Sequence, residues 1–154
     1  MVKSGMCAVV ALLVATGASG AQVPDQEGPR AAVDQLFLGM RMANERILRE
    51  VLAPDVRFVV ITPTGEIAPE TLDAFVSAVA ASAGAWNEQI YEVEVRVDDT
   101  MASVWAPYTF YLSGAISHCG INSIELLRGA DGWKITQISD TRRTEGCPDP
   151  LGGN

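Results

Sequence analysis

Residues Met101 to Arg143 read MASVWAPYTFYLSGAISHCGINSIELLRGADGWKITQISDTRR: three long runs rich in β-branched and aromatic residues, parted only by Ser113-Gly114-Ala115 and Gly129-Ala130-Asp131-Gly132. Connections that short cannot hold a crossover helix, so consecutive runs must pair antiparallel, as a meander. The segments before them read as the cover of that sheet.

Pro29 suits a first helical position, and Val33, Leu36, Phe37 and Met40 then follow at i, i+3, i+4 and i+7. This predicts a helix from Pro29 to about Ala43. Asn44 is placed to cap a second, shorter helix that turns Ile47, Leu48, Val51 and Leu52 inward and stops at Ala53-Pro54-Asp55. The β-branched run Val56 to Thr62 reads as a buried strand. After Pro63-Thr64-Gly65, Pro69 is expected to open a third helix carrying Leu72, Phe75, Val76 and Val79, ended by Gly84. From Gln89 the period is two, with Gln89, Tyr91, Val93, Val95 and Val97 alternating against Ile90, Glu92, Glu94, Arg96 and Asp98. That pattern predicts one further strand, turned by Asp98-Asp99-Thr100 into the meander. In the next run Ala102, Val104, Ala106, Tyr108, Phe110 and Leu112 make the more apolar face, opposite Ser103, Trp105, Pro107, Thr109 and Tyr111. Pro107 implies an edge, a bulge or a bend. Helices grouped ahead of most strands give an α+β domain, with three N-terminal helices on one face of a curved antiparallel sheet.

The chain of 154 residues is 48% hydrophobic and 19% charged, enough for one domain with its own core. Residues 1–21 have Lys3 near the start, an apolar run from Cys7 to Ala15 and small residues at Ala18, Ser19, Gly20 and Ala21, the pattern of a secretory signal peptide. A retained anchor is the alternative, but the run is far short of the roughly 20 residues that span a bilayer. The expected organisation is a signal peptide at 1–21, a flexible tail at 22–28, the domain at 29–147 and a C-terminal tail at 148–154, in a periplasmic or secreted protein. Loss of the leader leaves Cys119 and Cys147 as the only thiols, expected to bond in an oxidising compartment. Such a bridge closes a loop of about 29 residues and stabilises by about 3.5 kcal/mol on the chain-entropy model. Two unpaired thiols are the alternative. His118 is the only histidine, too little for a zinc site with four close ligands, so neither metal nor cofactor is expected. The formal charge of -8, with 19 acidic residues and no basic stripe beyond Arg142-Arg143, repels phosphate backbones and excludes nucleic acid as a partner.

Met40 to Val60, MRMANERILREVLAPDVRFVV, together with VWAPYTFYLSG, SHCGINSIELLR and GWKITQISDTRR, resembles the nuclear transport factor 2-like (SnoaL-like) superfamily and its secreted bacterial branch. The resemblance spans roughly Pro29 to Cys147. It implies a cone in which a strongly bent antiparallel sheet wraps three helices around a pocket. It also implies homodimers through the outer sheet face, for which Trp105 and Tyr111 are candidates, with ordinary sheet surface as the alternative.

Enzymes of that superfamily set one or two acids or bases in an apolar cavity. Where its steroid isomerases carry an aspartate, this chain reads Phe58-Val59-Val60-Ile61, and its tyrosines Tyr91, Tyr108 and Tyr111 lie on strands rather than the first helix. That mechanism is therefore not expected. Asp140 is the only carboxylate of the last run, and with His118 it forms a candidate catalytic dyad beside Tyr108. Strict alternation would set Asp140 with Lys134, Thr136 and Ile138, so either Lys134 points inward or a bulge intervenes. An ion pair of Asp140 with Arg142 or Arg143 is the structural alternative. His118 shares its expected face with Ile116, Gly120, Asn122, Ile124 and Leu126, where a hydrogen-bonded core histidine competes with a catalytic base. Tyr108, Phe110, His118 and Asn122 are the candidate ligand contacts. The leading expectation is a small, largely apolar ligand held without catalysis. Proton transfer through His118 and Asp140, as an isomerase, cyclase or dehydratase, is the first alternative. A dimeric interaction domain with a filled pocket is the second.

Overall fold

A computed structural model describes Met1, residues 25–62 and residues 64–152. The signal-peptide reading of residues 1–21 lies outside the described residues except for Met1, and so does Pro63. Among the described residues no helix is long and apolar enough to cross a membrane.

Helix α1 spans Glu27–Arg41, starting two residues before Pro29, and buries Val33, Leu36, Phe37 and Met40 as the spacing predicts. Asn44 caps α2, Glu45–Val51, by accepting from the Ile47 N–H at 3.2 Å. Strand β1, Leu52–Ile61, follows directly, and β2, Ile67–Glu70, folds back on it. Pro69 does not open a helix. It pairs with Val59 inside β2, and because β2 is an edge strand its missing N–H goes unneeded. The true cap of α3, Leu72–Ala81, is Thr71, whose hydroxyl accepts from the Ala74 N–H at 3.2 Å. Gly84 then turns the chain at φ 80°.

The alternating stretch expected as one strand is two: β3, Trp86–Ile90, and β4, Glu94–Asp98. Both pair with β5, Met101–Leu112, β4 along its first half and β3 along its second. The break falls opposite Pro107. Its carbonyl accepts from the Tyr91 N–H at 3.1 Å, so its nitrogen, on the same edge, offers the partner strand nothing to pair with. Strands β6, Ala115–Gly129, and β7, Gly132–Thr141, complete the meander. The sheet order is β2-β1-β7-β6-β5-β3 with β4 also on β5. Every pair is antiparallel except β1 with β7, which makes the seven-stranded sheet mixed. The helices cover its concave side, where Val33, Leu48, Val79, Ile124, Leu126 and Ile135 form the core.

Two bulges reset which residues face inward. In β7, Leu126 pairs with Ile135 but Glu125 with Gln137, leaving Thr136 as the extra residue. Ile135, Ile138 and Asp140 therefore all face inward, while the Lys134 ammonium donates to the Glu50 carbonyl. In β6, Phe110 pairs with His118 but Tyr111 with Ile116, so Ser117 is extra. Ile116 consequently leaves the face of His118 and is exposed.

Cys119 and Cys147 are bonded, with Cα atoms 5.5 Å apart. Residues 148–152, the described part of the expected C-terminal tail, cross the outer face of the sheet. Thr109 Oγ1 donates to the Pro148 carbonyl at 2.9 Å, and the Tyr111 hydroxyl to Asp149 at 2.5 Å. Tyr111 is thereby buried under its own chain, which removes it as a candidate dimer contact, whereas Trp105 remains 52% exposed.

Candidate functional site

Between α1, α3 and the concave face of the sheet lies a partly open cavity of about 340 Å³. Its walls are mainly apolar, with Phe37, Met40, Phe58, Val60, Phe75 and Ile138 among them. The pocket is not filled by the chain's own side chains, which removes the reading of a filled interaction domain. Tyr108, Phe110, His118, Asn122 and Asp140, all singled out by the sequence, line this one cavity. The alternation of β5, together with the two bulges, brings them there.

The polar groups form two clusters. Tyr108 is 1% exposed, and its hydroxyl donates toward Asp140 Oδ2 at 3.2 Å and the Thr141 carbonyl at 3.0 Å. Arg142 Nε donates to the same Asp140 oxygen at 2.7 Å, so the ion pair falls to Arg142 and not Arg143. Gly120, directly opposite Tyr108, makes this crossing possible, because a Cβ there would collide with the Thr141 carbonyl. Burial, then the charges of Asp140 and Glu88, push the Tyr108 hydroxyl well above the ordinary phenol range.

The second cluster contains a residue outside the sequence candidates. Asn122, 3% exposed, donates through Nδ2 to Glu88 Oε1 at 2.6 Å. Glu88 lies deep in the protein yet keeps some accessible surface, as a group facing an internal hollow does. Burial raises its carboxyl to about 7 against the pull of the Asn122 hydrogen bond, and the negative charge of Asp140 adds to the rise. The signal is present in Trp86-Asn87-Glu88-Gln89-Ile90, where Glu88 is in phase with two large apolar residues. Starting the strand at Gln89 hides it. Glu70 and Arg142 also line the cavity, and burial raises the Glu70 carboxyl as well.

His118 stacks on Phe110 at 4.9 Å and meets Tyr108 edge-on at 5.8 Å. Burial, then the charge of Arg142, hold its imidazole below the ordinary value, so it is neutral at pH 7. Its Nδ1 pairs with Ser117 Oγ at 3.1 Å. Among the described residues no hydrogen bond joins His118 to Asp140, so the two members of the expected dyad share a cavity without being hydrogen-bonded to each other.

No family model matches the chain, and no curated protein does. Solved structures do. A nuclear transport factor 2-like protein from Silicibacter pomeroyi is 18% identical, with a TM-score of 0.60 over 75% of this chain and 93% of its own. One from Novosphingobium aromaticivorans, described as having a cystatin-like fold, is 15% identical, with a TM-score of 0.62 over 80% of this chain and 84% of its own. A protein from Shewanella frigidimarina, provisionally named a ketosteroid isomerase, is 21% identical, with a TM-score of 0.56 over 71% and 91%. Identities this low speak for architecture and not for activity. The bent sheet, the three helices on its concave side and these likenesses together show that the chain has the fold of the nuclear transport factor 2-like superfamily.

Proposed function

We propose that this protein binds a small, largely apolar molecule in the cone cavity, outside the cytoplasm. The observation that carries the reading is the cavity itself, about 340 Å³ with apolar walls and a few polar groups converging on it, the composition of a ligand site. Asn122, Tyr108 and His118 supply orientation, and Phe110 supplies contact area. Location outside the cytoplasm is supported by the Cys119–Cys147 bridge and by the leader pattern of residues 1–21. A homodimer through the outer sheet belongs to the same proposal, with exposed Trp105 as its contact.

A second reading, proton transfer on a carbonyl or hydroxylated compound, is favoured by one observation. Glu88, His118 and Asp140 line the same cavity, and Glu88 at about 7 is suited to give or take a proton near neutral pH. In that reading Glu88 joins the candidate pair His118 and Asp140.

Native mass spectrometry on exported protein, purified without denaturation, tests the proposal. The expected result is one small molecule per chain, lost in Val60→Trp, which fills the hollow while circular dichroism stays unchanged. A bare chain that also binds no apolar fragment in ligand-observed NMR would overturn it. The same spectrum reads the oligomeric state.

A further inference from the structure

Glu88, a carboxylate of the cavity wall, makes no salt bridge with the described residues. Glu88 Oε1 takes the Asn122 amide at 2.6 Å, while Oε2 receives no hydrogen bond from the described residues. Arg142 is committed to Asp140 at 2.7 Å, and His118 is uncharged at neutral pH. The wall thus carries three carboxylates, Glu70, Glu88 and Asp140, against one guanidinium. Beside Glu88, Trp86 meets Phe110 edge-on with ring centres 5.6 Å apart and Phe75 at 6.3 Å, and Phe58 stacks on Phe75 at 4.5 Å.

Aromatic faces attract cations, and a buried carboxylate is stabilised by an opposite charge placed against it. An anionic ligand would meet a surplus of negative charge, and a neutral one would supply no counter-charge, leaving Glu88 to take up a proton instead. From this arrangement we propose that the ligand is a small organic cation, an amine or quaternary ammonium on a compact apolar body, with its nitrogen against Glu88 and among Trp86, Phe75 and Phe110. The inference rests on the small-molecule reading above and narrows it.

Charge at Glu88 sets a pH dependence. The titratable and charged groups sharing its cavity are Glu70, Tyr108, His118, Asp140 and Arg142. Tyr108 stays protonated, and Arg142 donates to Asp140 and not to Glu88. Glu88 titrates at about 7, so affinity for a cation of fixed charge rises about tenfold per pH unit below that point and levels off above it. Protonation of His118 at lower pH, and of Glu70, acts in the same direction.

Isothermal titration at about pH 8, where Glu88 is ionised, decides the matter, using benzyltrimethylammonium and its uncharged isostere neopentylbenzene. The ammonium is expected to bind wild type at least tenfold more tightly than the isostere. Glu88→Gln should abolish that preference while still taking the isostere, and Trp86→Leu should weaken the ammonium more than the isostere. Isostere binding equal to or tighter than the ammonium in wild type overturns the cation proposal and leaves the apolar-ligand reading standing. If neither compound binds, both proposals fall. The ratio is read on the wild-type protein, so a variant that does not fold leaves the test intact.

Discussion

Strands β5 and β6 run side by side over their whole length, yet their two halves do opposite things. In the half nearer β4, Ala102, Val104, Ile124 and Leu126 are almost completely buried against the helices. In the half nearer β3, Tyr108, Phe110, His118 and Asn122 surround a hollow. The first half is held by packing, through compact side chains with no polar atoms. The second is held by hydrogen bonds among flat rings and carboxylates, with Gly120 clearing the way for the Thr141 carbonyl. One continuous pair of strands thus separates a packed core from a polar-lined hollow along its own length.

Substitutions should reveal that division. Leu126→Ala in the packed half is expected to cost about 4 kcal/mol, because a fully buried side chain leaves a void the core cannot close. Val60→Ala, beside a hollow that already exists, should cost less than about 1.5 kcal/mol on the same argument. Equal losses in urea denaturation would erase the distinction. Next in size is the bridge that pins residues 148–152 to the outer face. Cys119→Ser should lose about 3.5 kcal/mol for a sequence separation of 28 and expose Tyr111, read as a change in tyrosine fluorescence.

The hollow half should also respond to pH where the packed half does not. Folding raises Glu88 from 4.5 to about 7, so between those values the native state holds a proton that the unfolded chain has released. Stability therefore falls as pH rises through that window, by roughly 3 kcal/mol in total, and is flat with respect to this group above it. Glu88→Gln should remove the slope, gaining on wild type from about pH 4.5 to about pH 8 in thermal melts at matched ionic strength. A constant difference between the two proteins would show that Glu88 is solvated. The smallest effect belongs to Tyr108→Phe. Loss of its donated bond should cost about 1 kcal/mol, and the freed Asp140 should retain Arg142, which side-chain NMR of the guanidinium would follow.

The packed half is legible in the sequence and the hollow half only in part. The three long runs, the helical spacing from Val33 to Met40, the Asn44 cap and the Cys119–Cys147 bridge follow from patterning, and the structure has them all. Pattern reading fails where a single residue changes phase. Nothing in the composition of β6 or β7 marks Ser117 or Thr136 as extra, since a bulge is selected by the curvature of the whole sheet. Glu92, at φ 48° between β3 and β4, continues the alternation in sequence while breaking the strand in space. Pro69 reads as a helix start because proline at an edge strand and proline at a first helical turn look alike in one dimension. Asp140 can be placed only as one of two alternatives, and Glu88 is lost when its strand is begun one residue after it, although it is the most perturbed carboxylate of the site.

Everything distinctive about the hollow depends on Glu88 being desolvated and without a salt-bridge partner. The side-chain carboxyl carbon of Glu88, assigned by comparison with Glu88→Gln and followed by carbon-13 NMR across the pH range, reports this directly. A midpoint at about 7 is predicted. A midpoint at the ordinary glutamate value of about 4.3 would mean that water reaches the group freely, and would contradict the account.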